Sequence, residues 1–211
     1  MTNDCIVFIV DDDPGIREAL TELLSSCDIH AVAFSSATEY LAYPQPDVPA
    51  CLILDVGLPD ISGLELQSRI ADDYHPHIVF ITGNGDVPSS VRAIKAGAVD
   101  FLPKPFNARD LMLAVNAALA QNRVARTVMA ELGELHRRFL SLTPRERDVL
   151  PLVATGFLNK QAAAELGISV ITLQIHRGNV MKKMGAGSLA ELVRMAGMLG
   201  IPVVAAPHSS A

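Results

Sequence analysis

The sequence predicts an α/β fold: a doubly wound, five-stranded parallel sheet, joined by a long helix to a smaller all-α module of four helices. Three observations predict it. Five short apolar runs alternate with helix-period segments through about the first 123 residues. Those runs are nearly continuous in apolar residues, as strands buried on both faces are. Beyond residue 140 the strand-like runs stop, and capped helical segments follow one another.

The first strand is CIVFIV (5–10), ending in Asp11, Asp12 and Asp13. Pro14 suits the first turn of a helix whose apolar stripe is Ile16, Leu20, Leu23 and Leu24. IHAVAF (29–34) is the second strand, followed by a short helix near 36–43 and the loop PQPDVP. The third strand, CLILD, ends at Asp55, where Gly57 and Pro59 force a loop. Residues 63–70 read as helix, HIVFIT (77–82) as the fourth strand, and GNGD as the loop behind it. A helix over 87–95 is closed by Gly97, and AVDFL (98–102) is the fifth strand.

From about Arg109 the helical signal runs to Ser141 without a Pro. Leu111, Val115, Ala118, Asn122, Ala125, Met129, Leu132, His136 and Phe139 form a heptad seam with two polar interruptions. Some 30 such residues span roughly 45 Å. The expectation is a first half packed on the sheet and a second half serving as a solvated spacer; pairing of two such helices in a dimer is the alternative. Thr143, Pro144 and Glu146 then make a capping box for a helix to about Ala154, stopped by Gly156. Pro151 lies inside that helix and should kink it. A short Ala-rich helix ends at Gly167, Ser169 caps a helix over 170–184, and Ser188 caps one over 189–199. A short helix, a Gly-containing turn and a longer helix match helix-turn-helix organisation. Residues 201–211 read as a loose tail.

Charge divides the chain in the same place. The net charge of −6 combines −10 over residues 1–124 with +4 over residues 125–211, so the second module tolerates a polyanion. Neither a signal peptide nor a run of 18 apolar residues occurs, which points to a cytoplasmic protein without a membrane span. Cys5, Cys27 and Cys51 are scattered and odd in number, against a metal cluster and in favour of reduced thiols.

If strands one and three are neighbours, Asp11, Asp12 and Asp55 meet at their carboxyl ends, where open α/β sheets place their sites. Three carboxylates in one crevice repel, and a hard divalent cation such as Mg²⁺ resolves the conflict. Thr82 and Lys104 end strands four and five, adding a hydroxyl and an ammonium. The set suits a phosphoryl group, with an Asp as acceptor.

VDDD, LDVGLPDISG, FITGNGD and AGAVDFLPKPF together resemble the receiver domain of two-component response regulators, whose fold is that of the flavodoxin-like receivers. The resemblance implies that Asp55 is the phosphoacceptor for a sensor histidine kinase. It implies that Asp11, Asp12, Asp55 and the Gly57 main-chain carbonyl hold Mg²⁺, and that Thr82 and Lys104 bind the phosphoryl oxygens. Phe101 would be the switch aromatic that follows Thr82, and the Lys104–Pro105 bond would be cis. Leu58 stands where Met is common, and Asp13 is a spare, solvent-facing acid.

The segment beginning LTPRERDVL and running through HRGNVMKKM is similar to LuxR-type helix-turn-helix domains, and the whole chain to the FixJ branch of the NarL/FixJ class. The implied domains are a receiver over 1–123, a helical linker over 124–138, a DNA-binding domain over 139–200 and a tail over 201–211. On the wheel of the 170–184 helix, Leu173, Val180 and Met184 form the core stripe; Ile171, Ile175, Gly178 and Lys182 face away, flanked by Gln174 and Asn179. That outer face is expected in the major groove, with Ile175 at a thymine methyl, Gln174 reading adenine edges or bonding a phosphate, and Lys160, Thr172, Arg177 and Lys182 on phosphates. His176 is expected to be packed and hydrogen-bonded. Gln174 departs from the Lys that many relatives carry.

The resulting expectation is a transcription factor that is not an enzyme in the ordinary sense. Phosphorylation would switch it through homodimerisation or through release of its DNA-binding module, at double-stranded promoter DNA and with RNA polymerase as a further partner. Two other readings are weighed against it: a constitutive DNA-binding protein with a vestigial receiver, and a Mg²⁺-dependent phosphohydrolase of haloacid-dehalogenase type built on the Asp11-x-Asp13 spacing.

Overall fold

A computed structural model describes residues 5–70, 75–83 and 87–202, the side chains of 87–89 excepted. The loop residues Asn84, Gly85 and Asp86 and most of the expected tail lie outside the described residues. The chain forms two compact units, residues 1–127 and 128–211, and the division falls inside one continuous helix.

In the first unit, β1 (Ile6–Val10), β2 (His30–Phe34), β3 (Ala50–Asp55), β4 (His77–Thr82) and β5 (Asp100–Pro103) form one parallel sheet in the order β2-β1-β3-β4-β5. The helices between them are α1 (Pro14–Ser26), α2 (Ala37–Leu41), α3 (Gly63–Arg69) and α4 (Val87–Lys95), and α5 (Ala108–Leu140) follows β5. Side chains alternate across each strand. Phe8, Val10, Leu52, Leu54 and Phe80 enter a core that includes Tyr40 of α2 and Leu66 of α3. Val7, Ile9, Ile53, Val79 and Ile81 enter a second core with Leu20 and Leu24 of α1 and Leu111, Val115 and Ala118 of α5. Both faces are therefore covered, which explains why the strands read as unbroken apolar runs.

Two strands begin later than their sequences suggest, each for a local reason. Asp28 adopts φ 59° and the Ile29 N–H still bonds Leu24 O, so α1's terminal turn delays β2 to His30. Gly97, at φ 94°, ends α4, and the Ala98 N–H returns to Ala93 O, so β5 starts at Asp100.

Asn122 is fully buried rather than a weak point in the helix. Its Oδ1 accepts the Ala50 N–H at 2.9 Å, and its Nδ2 donates to His75 O at 3.0 Å, with His77 Nδ1 at 3.1 Å. It thus ties α5 to the entrances of β3 and β4. Of the expected seam, Leu111, Val115 and Ala118 are buried on the sheet, whereas His136 is exposed.

The second unit contains α6 (Pro144–Thr155), α7 (Asn159–Glu165), α8 (Val170–Met184) and α9 (Leu189–Met198) with the end of α5. The capping box is formed: Thr143 Oγ1 accepts the Glu146 N–H, and Glu146 Oε2 accepts the Thr143 N–H at 2.8 Å. Glu146 is buried, and Lys183 Nζ of α8 bonds the same oxygen at 2.6 Å. Helix α6 continues unbroken through Pro151, whose carbonyl accepts the Thr155 hydroxyl at 2.7 Å. The solvated spacer expected over 124–138 needs correction at its end. Leu135 is buried in the core formed by Val149, Leu173, Val180 and Leu192, with Phe139 of the same helix packed against it.

Candidate functional site

Register brings the acids together. Val10 pairs with Leu54, so Asp11 and Asp55, one residue further along, emerge side by side. One carboxylate oxygen each from Asp11, Asp12 and Asp55 lies within 4.8 Å of the others. Asp11 is buried, Asp12 exposed, and the Asp55 side chain keeps 10% of its surface against none for Asp11. Thr82 pairs with Pro103, and the Lys104 N–H bonds Thr82 O at 2.7 Å, which sets Thr82 and Lys104 at the same rim. Lys104 Nζ reaches Asp11 Oδ2 at 2.7 Å and Asp55 Oδ2 at 3.4 Å. The Lys104–Pro105 peptide is cis.

Burial pushes the Asp11 carboxyl up, and the Asp55 charge adds to the rise, against the Lys104 bond and the Asp13 N–H. Burial pulls Lys104 down, but its bond to Asp11 and the charges of Asp11 and Asp55 outweigh it and hold the ammonium above its ordinary value. Three acids opposed by one ammonium form a hard, oxygen-rich, electron-rich pocket, the donor set that a divalent cation of the Mg²⁺ kind takes.

Several residues that position this pocket escaped the sequence reading. Gly63 has no room for a side chain: an added Cβ would lie 2.3 Å from Asp55 O and 3.1 Å from Phe80 Cε1. Asp13 caps α1, accepting Gly15 N–H at 2.8 Å, and Arg17 Nη1 donates to Asp11 O at 2.7 Å. Asp60 accepts from the Thr38 hydroxyl at 2.7 Å and from the Thr38 and Ala37 N–H groups, which moors the loop after Asp55 to α2 and holds the carboxyl well below its usual range. Aspartates near turn residues were the available signal; their long-range partners were not. Gly57 is exposed, Leu58 is buried, and Phe101 is half-buried with its ring 6.0 Å from that of Phe80. An apolar hollow of about 310 Å³ opens beside Lys104, lined by Ile16, Leu20, Leu23, Pro105 and Phe106.

In the second unit, Ser169 caps α8 by accepting the Thr172 N–H at 3.0 Å, and its hydroxyl lies 2.8 Å from that of Thr172. Leu173, Val180 and Met184 are buried, while Ile171 and Ile175 are 71% and 60% exposed. Gln174, Asn179 and Lys182 are exposed on the same outer side of α8, and Lys160 of α7 is exposed. Arg177 falls on the inward side, between Leu173 and Val180, and donates to Asn159 Oδ1 at 2.9 Å. His176 is half-buried as expected, but its Nδ1 is buried without a hydrogen-bond partner.

The first unit is a doubly wound sheet with an acidic pocket at its carboxyl edge, and a helix-turn-helix unit follows it. Residues 7–116 match the response regulator receiver domain, and residues 140–196 match the bacterial regulatory proteins of the luxR family. The chain belongs to the two-component response regulators that act in transcription. It is 52% identical over 197 residues to nodulation protein W of Bradyrhizobium diazoefficiens, covering 93% of this chain and 87% of that one. It is 41% identical over 196 residues to the transcriptional regulatory protein FixJ of Azorhizobium caulinodans, covering 92% and 93%. Among solved structures, the response regulator StyR aligns with a TM-score of 0.79 at 43% identity, over 92% of this chain and 98% of that one. No helix among the described residues is long and apolar enough to cross a membrane.

Proposed function

We propose that this response regulator is phosphorylated on Asp55 and that the modification switches homodimerisation and sequence-specific binding to promoter DNA. The observation that carries the reading is the convergence of Asp11, Asp12, Asp55 and Lys104 at one strand-end pocket in which Asp55, unlike Asp11, keeps exposed surface. Its carboxylate is the acceptor; Asp11, Asp12, Asp55 and the Gly57 carbonyl hold Mg²⁺. Bound there, the ion supplies charge neutralisation for the phosphoryl oxygens. Lys104 adds a second positive charge, and the Thr82 hydroxyl donates to a phosphoryl oxygen. Thr82 moving toward that oxygen draws the half-buried Phe101 inward, which changes the surface around α4 and β5.

The phosphodonor is a sensor histidine kinase, and the apolar hollow beside Lys104 offers its protein a seat within reach of Asp55. The protein acts in the cytoplasm, where kinase, DNA and RNA polymerase all meet it. On α8, Gln174 and Ile175 read bases while Lys182, with Lys160 and Thr172, contacts phosphates. Asn179 flanks them. Arg177 enters from the inner side of the helix and depends on its Asn159 bond for its direction. The receiver, linker and DNA-binding segments are 1–123, 124–138 and 139–200, with the end of the linker packed as part of the last.

The phosphohydrolase reading requires Asp11 as nucleophile, yet that side chain is fully buried and engaged by Lys104. Radiolabelled acetyl phosphate with Mg²⁺ tests the proposal. Label should appear on the wild-type protein, vanish with Asp55→Asn and with chelation, and raise affinity for a duplex selected by the protein. Label surviving Asp55→Asn sinks the assignment, and affinity indifferent to labelling revives the vestigial receiver.

A further inference from the structure

The end of α5 is built into the DNA-binding unit by more than apolar packing. Leu135 shares the core of Leu173, Val180 and Met184, and Phe139 packs on its edge. The Arg147 guanidinium lies 5.5 Å from the Phe139 ring centroid and donates to the Leu140 carbonyl at 2.8 Å, so α6 holds the last turn of α5.

Arg138 reaches in the other direction. Its Nη1 donates to the carbonyl of Met184, the last residue of α8, at 3.1 Å. Helix ends leave such carbonyls without a helical donor, and a cation there also meets the negative end of the helix dipole. Glu134 Oε1 accepts Arg138 Nε at 2.8 Å and fixes the plane of the guanidinium. Gly185, at φ 73°, closes α8 against that plane: a Cβ there would sit 2.6 Å from Arg138 Nη1. Glu134, Arg138, Met184 and Gly185 thus form one clasp, with charge, direction and free space all matched.

We propose that Arg138 is a positioning residue that fastens the carboxyl end of α8 to the linker helix, so that α5 aims the DNA-reading helix. The inference rests on the reading of α8 as the helix that enters the groove. It makes the linker a lever joined to the reader, and Arg138 a determinant of sequence selectivity that touches no base.

The test uses full-length protein, a duplex selected by the wild type from a randomised library, and a mixed-sequence duplex of equal length. Arg138→Ala should lose about tenfold in affinity for the selected duplex, the scale of one charge-assisted hydrogen bond, and less than about twofold for the mixed one. Arg138→Lys, which keeps a donor, should recover part of the loss. The salt dependence on mixed DNA should stay unchanged, since no phosphate contact is removed. Equal weakening on both duplexes, or a lowered melting temperature with intact selectivity, overturns the proposal and leaves a stabilising contact. If Arg138→Ala does not fold, Glu134→Ala, which removes the acceptor of Arg138 Nε and frees the guanidinium without deleting it, is read by the same two ratios. A wild type that selects no sequence defeats the reading of α8 itself and the clasp with it; selection matched by Arg138→Ala defeats the clasp alone.

Discussion

Asp55 draws its character from neighbours that crowd, neutralise and space it. Gly63 shows how little slack that arrangement has. Because its missing Cβ would overlap the Asp55 carbonyl at 2.3 Å, Gly63→Ala must move the acceptor strand or α3. We expect a loss of about 1–3 kcal/mol in urea denaturation, with slower labelling of Asp55 by acetyl phosphate. Tyr40 makes the opposite case. Its hydroxyl is buried beside the aromatic cluster of Phe8, Phe34 and Tyr43, with no well-formed hydrogen bond and only the Gln45 side chain at hand. Tyr40→Phe removes a desolvated polar atom at almost constant shape, so stability should hold or rise by up to about 1 kcal/mol. A marked fall in melting temperature would show that the hydroxyl has a working partner, Gln45 or a bound water.

At the scale of elements, polar residues inside apolar stripes set how helices dock. Asn122 satisfies a strand N–H and a loop carbonyl from the middle of α5. Asn122→Leu would leave the Ala50 N–H buried and unpaired, a cost of about 1–3 kcal/mol that equilibrium unfolding of the receiver transition should report. In the second unit, Glu146 combines cap and ion pair. Burial alone would raise its carboxyl, but the Lys183 bond and the Thr143 N–H hold it below its ordinary value of 4.5. A depressed folded-state carboxyl contributes stability that is complete above the unfolded value and is lost as pH falls through the folded one. The DNA-binding unit should therefore lose melting temperature on acidification below about pH 4.5. Glu146→Gln should start less stable at pH 7 and show a flatter curve across that window.

For the whole molecule, the polarity of the two units assigns them separate tasks that α5 connects. Residues 1–124, carrying −10, disfavour DNA contact, and residues 125–211, carrying +4, allow it. Beryllofluoride with Mg²⁺, a mimic of the phosphorylated aspartate, should shift the full-length protein from monomer to dimer in multi-angle light scattering, and Asp55→Asn should remain a monomer. Monomeric behaviour of the loaded wild type, combined with raised DNA affinity, would transfer the switch from dimerisation to release of the DNA-binding unit.

Apolar continuity, turn residues and caps were enough to place the five strands, the parallel order of events along the chain and the boundaries of α8, because these depend on local periodicity and backbone chemistry. Asp11, Asp12, Asp55, Thr82 and Lys104 were legible for the same reason: each ends a strand, and parallel strands align their ends. What the sequence left open were partners distant along the chain. Asn122, one of two polar interruptions in the heptad seam, is a tie to β3 and to the entrance of β4, and Leu135, within the 124–138 linker, packs in the core of the second unit. Arg177, expected on a phosphate, lies on the stripe between Leu173 and Val180 and bonds Asn159. Local sequence determined which helices and strands form and which side chains stand at their ends, because those choices are made by neighbours within a turn or two. Only the tertiary structure decided which polar groups meet, since a hydrogen bond such as Arg138 to Met184 joins residues 46 positions apart and no spacing rule foretells it.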